Sequence, residues 1–110
     1  MDPALQKIAV VVPCYFEKNQ ILEVLSKFDS TITHIIVIDD ACPEKTGAFV
    51  LKNSKDKRVQ VITHETNQGV GGATITGYTK AIALGADIIV KVDGDGQMDP
   101  TMIRTLIKPI

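Results

Sequence analysis

The stretch "HIIVIDD", residues 34–40, sets four β-branched residues in a row and then two acids. An alternating pattern would mark a strand with one wet face. A continuous apolar run marks a strand buried on both faces, as in a parallel sheet. The runs "KIAVVV" (7–12) and "DIIVKVD" (87–93) read the same way, whereas "RVQVIT" (58–63) alternates and is expected at an edge. Helical spacing fills the intervals. In "NQILEVLSKF" Ile21, Leu22, Leu25 and Phe28 share a face, and "EKTGAFVLKNS" repeats this less well because of Gly47. "GGATITGYTKAIALG" puts Ala73, Ile75, Tyr78, Ala81 and Ile82 along a helix that ends at Gly85. In "DPTMIRTLIKPI" Asp99 fits an N-cap and Pro100 the first helical position. Strands alternating with helices predict an α/β, doubly wound, mainly parallel sheet, in strand order 3-2-1-4 with helices on both faces.

Bulk properties bound the answer. The chain has 110 residues, 45% hydrophobic and 23% charged, with a formal net charge of −1. That is ordinary for one globular domain, expected over residues 1–110, and it argues against a nucleic-acid partner. No apolar run reaches the length of a membrane span, and "MDPALQKIAVVV" has neither a basic n-region nor a long h-region. A cytoplasmic protein is expected, or one at the cytoplasmic face of a membrane if the full-length protein has a membrane tail. Cys14 and Cys42 sit in no metal-ligand spacing and are expected as reduced thiols, with a disulfide the lesser alternative.

Open α/β sheets bind ligands at the carboxyl ends of their strands. There the four loops supply Glu17, Asp39, Asp40, Asn67, Asp93, Asp95 and Gln97. Asp93 and Asp95 stand one residue apart. At about 5 Å and an effective dielectric of about 20, such a pair repels by roughly 3 kcal/mol, so the spacing asks for a cation. Hard oxygen ligands suit a divalent metal whose shell is completed by water and phosphate, and Gln97 can add an amide oxygen. A calcium loop does not fit, because its sixth and twelfth positions would be Met98 and Arg104. A dinucleotide fingerprint does not fit either, because Thr74 stands where G-x-G-x-x-G needs its last glycine. Gly69, Gly71 and Gly72 still let backbone amides approach a ligand. A receiver-like signalling domain also carries paired acids, but there they close the first strand, and here they close the second. His34 and His64 look isolated and are expected as surface or structural residues. Met98 and Met102 are expected in a core.

Taken in order, "VVVPCYFEK", "IIVIDDACPEKTG", "NQGVGGATITG" and "VKVDGDGQMDP" resemble the signatures of family-2 glycosyltransferases of the GT-A fold. The last is most similar to the branch of dolichyl-phosphate mannose synthases and polyprenyl-phosphate glycosyltransferases. The resemblance implies a Rossmann-like nucleotide-binding half. Pro13, Tyr15 and Glu17 would line the nucleotide pocket, Ile38 would pack by the base, and Asp40 would bond the base or ribose. Asn67 and Gly69 would belong to the same site, and Asp93 and Gly94 would lie by the ribose-diphosphate. Asp95 would be the chief ligand of Mn²⁺ or Mg²⁺, helped by Asp93 and Gln97. Two departures stand out. Ala41 and Cys42 replace the usual Gly-Ser, and the glycine loop lacks the basic residue often found there.

The implied reaction is metal-dependent, inverting transfer of a sugar from a UDP- or GDP-sugar to an acceptor hydroxyl. The acceptor would be a polyprenyl phosphate or a glycan. No residue here fits a catalytic base, so the chain is expected to be the donor-binding half of an enzyme and inactive alone. A non-catalytic nucleotide-sugar-binding module shares every residue named. With no partner on the outer edge of the fourth strand, a homo-oligomer through residues 87–92 or the adjacent last helix is expected.

Overall fold

The computed structural model describes residues 7–15 and 18–92. Four strands alternate with three helices: β1 (Ile8–Cys14), α1 (Ile21–Ser26), β2 (His34–Asp39), α2 (Thr46–Asn53), β3 (Val59–Thr63), α3 (Gly69–Ala83) and β4 (Ile88–Lys91). All strand pairs are parallel, in the order β3-β2-β1-β4. This is the expected doubly wound order, with the alternating strand β3 at an edge. A receiver fold would set β3 beside β1; here β1 lies between β2 and β4. The helix expected after Asp99, with Met98 and Met102, falls outside the described residues.

Continuous apolar runs fill two cores at once. Val10, Val12, Ile35 and Val37 pack with Ile21, Val24, Leu25 and Phe28 of the α1 segment and with Val50 of α2. Ala9, Val11, Ile36 and Ile38 face α3, against Ala73 and Ala81. β1 is buried along its whole length. Each fully buried Val or Ile contributes about 1.5–3 kcal/mol, so this central strand is the main anchor of the sheet.

The phase of α3 differs from the expectation. Ala73, Gly77 and Ala81 form the buried stripe, while Ile75 and Ile82 are 67% and 64% exposed. Close approach is the reason. A Cβ on Gly77 would lie 2.1 Å from Cγ1 of Val11, so the helix sits too near β1 for larger side chains. The end of α3 is as expected. Gly85 adopts φ +82°, its amide donates to Ile82 O (2.9 Å), and that of Ala86 donates to Ala81 O (3.1 Å). These two bonds make a Schellman cap.

At the amino end of β3, Arg58 gathers the chain. Its guanidinium donates to the carbonyls of Phe28, Asp29 and Ile32 and pairs with Asp56 at 2.7 Å. That pairing holds the Asp56 carboxyl below its usual range and raises Arg58.

Candidate functional site at the carboxyl ends of the strands

Pro13 occupies the last turn of the pleat in β1, opposite Ile38 in register. The amide of Val92 donates to Val11 O, so odd positions of β1 point their backbone groups toward β4. The missing N–H of Pro13 therefore lies beyond the last described pair with β4, Val11 with Lys91. Tyr15 follows, 40% exposed. Ile38 is fully buried in the α3-facing core, so it supports the floor of any pocket from beneath.

The two adjacent acids of β2 part to opposite faces, as successive strand residues must. Asp39, 2% exposed, turns toward α2. Its Oδ1 accepts from the Cys42 amide and its Oδ2 from the Gly47 amide, both at 2.8 Å. A Cβ on Gly47 would come within 2.9 Å of Asp39 Cβ and of Val61 Cγ1, which is why glycine stands there. The N-cap residue of α2, Lys45, makes no side-chain cap bond, and Asp39 satisfies the first turn from the strand instead. Ala41 and Lys45 both take positive φ, 59° and 54°. Ala41 thus stands in a conformation suited to glycine, at a cost of about 1 kcal/mol. Cys42 is buried, with its sulfur 3.3 Å from Thr46 Oγ1. Cys14 is buried as well, and its thiol donates to Ile38 O at 3.5 Å.

Asp40, 4% exposed, turns toward α3. Its Oδ1 meets His64 Nδ1 at 2.8 Å and accepts from the Gln68 amide at 2.8 Å. The other ring nitrogen of His64 lies 2.9 Å from Thr76 Oγ1, and that hydroxyl donates to Gly72 O at 3.1 Å. Carboxylate and hydroxyl together give each ring nitrogen a hydrogen-bond partner. Burial alone would raise the Asp40 pKa. The bond from His64, the amides of Gln68 and Gly69 and the attraction of the imidazole outweigh it, and the carboxyl falls below its ordinary value. Asn67 braces the loop: its amide donates to Asp40 O at 3.1 Å, and its Oδ1 accepts from the Gly69 amide at 3.1 Å. Gly69 has φ +80°, and a Cβ there or on Gly71 would meet nothing within 4 Å. The Gln68 and Gly69 amides are engaged within the loop, and the glycines leave space beside the backbone at the start of α3.

The structure therefore brings together Asp40, Asn67 and Gly69, while Tyr15 follows the end of β1, the strand beside β2. Glu17, Asp93, Gly94, Asp95 and Gln97 lie outside the described residues. Among the described residues no group of three or more His, Cys, Asp and Glu could hold a metal. A cleft of about 340 Å³ opens between the β2 and β3 ends and α2, lined by Asp39, Cys42, Lys45, His64 and Glu65.

His64 was not legible as a site neighbour, and it is neither isolated nor on the surface. A signal for it exists in the strand register. Asp39 pairs with Thr63 across β2 and β3, so the next residues of the two strands, Asp40 and His64, come side by side.

Comparison with known proteins gives the same picture. The family model described as "Glycosyl transferase family 2" matches residues 9–110. A UDP-N-acetylglucosamine–dolichyl-phosphate N-acetylglucosaminyltransferase of Methanococcus voltae is 37% identical over 94% of this chain and 47% of its own. A dolichol-phosphate mannosyltransferase of Pyrococcus furiosus is 31% identical over 94% of this chain and 30% of its own. The chain thus spans less than half the length of these curated relatives. Among solved structures, S. aureus TarS in complex with UDP superposes with a TM-score of 0.67 at 27% identity, covering 82% of this chain and 28% of that one. The complex of TarS with UDP-GlcNAc gives 0.66 at the same identity, covering 82% and 27%. A matching fold and a family model over residues 9–110 agree that the chain belongs to glycosyl transferase family 2.

Proposed function

We propose that this chain is the donor-binding half of an inverting, metal-dependent glycosyltransferase that takes a sugar from a UDP- or GDP-sugar to a polyprenyl phosphate. One observation carries the reading: in a family-2 chain, an ionised Asp40 and the glycine-rich amino end of α3 meet at the carboxyl ends of the strands. A carboxylate there accepts from a base N–H or a ribose hydroxyl, while backbone amides at a helix start suit phosphate oxygens. Tyr15 and Glu17 flank the base, Pro13 shapes the turn beneath it, and Ile38 supports the floor. Asn67 and Gly69 hold the loop at the phosphate side, and Asp93 and Gly94 adjoin the ribose and diphosphate. The donor set of Asp95, Asp93 and Gln97 is all oxygen and fits Mn²⁺ or Mg²⁺, which would stabilise charge on the departing diphosphate.

In the transfer the anomeric carbon–oxygen bond to the diphosphate breaks and a new bond forms to the acceptor oxygen from the opposite face. The relatives' names support a lipid phosphate as acceptor; a glycan hydroxyl is the second choice. Such work belongs at the cytoplasmic face of a membrane, although no helix among the described residues is long and apolar enough to cross one. The β4 edge, residues 88–91, is the surface for self-association, which sedimentation at rising concentration would register. The rival reading is a binding module without turnover. Incubation of the intact protein with UDP- or GDP-sugar, Mn²⁺ and a polyprenyl phosphate decides between them. Lipid-linked sugar that disappears in Asp95→Asn is expected; nucleotide binding with no transfer would favour the module.

A further inference from the structure

We infer that His64 is a positioning residue of the donor site, which sets the Asp40 carboxylate for the nucleotide. The inference rests on the reading that Asp40 contacts the nucleotide. Its own support is geometric. The imidazole is buried, with 7% of its side chain exposed against 6% for Asp40, and it spans three elements. It leaves the end of β3, meets Asp40 at the end of β2 at 2.8 Å, and meets Thr76 on α3 at 2.9 Å. Thr76 in turn is fixed by Gly72 O, within the glycine-rich start of the same helix. The carboxylate and the glycine-rich start of α3 are therefore tied to one ring.

A carboxylate offers about four acceptor sites. His64 and the Gln68 amide both engage Oδ1, which fixes the rotamer and leaves acceptor capacity for a ligand N–H or hydroxyl. A hydrogen bond to an ionised group is about twice as strong as a neutral one and is strongly directional. Without the ring, the carboxylate keeps its charge but loses its aim. A histidine that merely filled the sheet end would have no such effect on a ligand.

Two near-isosteric substitutions separate the roles. Asparagine places its amide nitrogen close to the position of Nδ1 and keeps the bond to Asp40. Glutamine places its nitrogen close to that of Nε2 and keeps only the link to Thr76. The experiment is titration of the intact protein with UDP and GDP in the presence of Mn²⁺, for His64→Asn, His64→Gln and Asp40→Asn, with thermal unfolding of each. His64→Asn should bind within about threefold of the wild type, and His64→Gln should bind roughly tenfold or more weakly, as expected for loss of a bond to a charged group. In transfer assays the His64→Gln loss should fall on the KM for the sugar nucleotide and spare kcat. Equal affinities for the two His64 variants, or affinities that simply follow their unfolding temperatures, would overturn the inference while Asp40→Asn still weakens binding. Unchanged affinity in Asp40→Asn would instead remove the donor-site reading, and the inference with it. Should His64→Gln fail to fold, the wild type suffices. The ring proton on Nδ1, followed by NMR, should shift on saturation with UDP or GDP, and a resonance that stays in place at saturation would overturn the role.

Discussion

The two ends of β3 hold two residues bonded to acids, with opposite employment. Before the strand, Arg58 spends its donors on the carbonyls of Phe28, Asp29 and Ile32 and on Asp56. After the strand, His64 holds one acid that faces the glycine-rich start of α3. Only the five residues of β3 separate them along the chain. The amino end of the sheet is a staple in which the guanidinium gathers backbone oxygens of the segment between α1 and β2. The carboxyl end gathers charge beside exposed glycine backbone. The difference follows from the parallel sheet: all strands point one way, so one end collects the turns that close the fold and the other collects the loops that meet ligands.

The contrast breaks first at Arg58. Arg58→Met keeps the alkyl stem and removes every donor. It should cost about 2–3 kcal/mol, since several part-buried carbonyls lose their partner at once. Urea unfolding measures the loss, and UDP affinity should stay within about twofold of the wild type. A stable Arg58→Met variant with weakened UDP binding would mean that the two ends are not separable.

Gly77→Ala tests the packing that positions the carboxyl end. The added methyl would meet Val11 at 2.1 Å. Overpacking costs roughly 1–3 kcal/mol, against a helix gain from glycine to alanine of about 1 kcal/mol, so a net loss of up to about 2 kcal/mol is expected. Gly71→Ala, whose methyl meets nothing within 4 Å, is the control and should not destabilise. Equal unfolding midpoints for the two variants would contradict the close approach of α3 to β1.

These same residues show what a sequence discloses. Unbroken β-branched runs such as Ile35–Ile38 announce strands buried on both faces, and alternation in "RVQVIT" announces the edge. The parallel, doubly wound sheet followed from those patterns, and right-handed crossovers place its helices. The buried face of α3 did not follow, because size was taken as the mark of a core residue. Here the decisive quantity is the distance between helix and sheet, and small residues at 73, 77 and 81 permit it. Within the site, Asp40, Asn67 and Gly69 were legible from their places after strands. His64 was not, because its partners lie 24 and 12 residues away in the chain and only the strand register brings them together.

Acid pH gives a smaller, sharper comparison. Asp40 and Asp56 both titrate below their ordinary value of 3.8 in the folded protein. A depressed carboxyl stabilises the fold above its unfolded pKa, and that contribution disappears as pH falls through the folded pKa. Stability should therefore decline below about pH 4. Asp40→Asn and Asp56→Asn should each flatten part of that decline in thermal scans. Only Asp40→Asn should also alter nucleotide binding at neutral pH.

The central claim is that the carboxyl end holds a nucleotide diphosphate through Asp40 and a metal at Asp95. Titration calorimetry of UDP and GDP, with Mn²⁺ and with chelator, tests it most directly in the wild type, Asp95→Asn and Asp40→Asn. Binding should tighten with metal in the wild type, and metal binding should tighten with nucleotide by the same factor. Asp95→Asn should abolish that coupling, and Asp40→Asn should weaken nucleotide binding in both conditions. Equal affinity with Mn²⁺ and with chelator in the wild type would contradict the account.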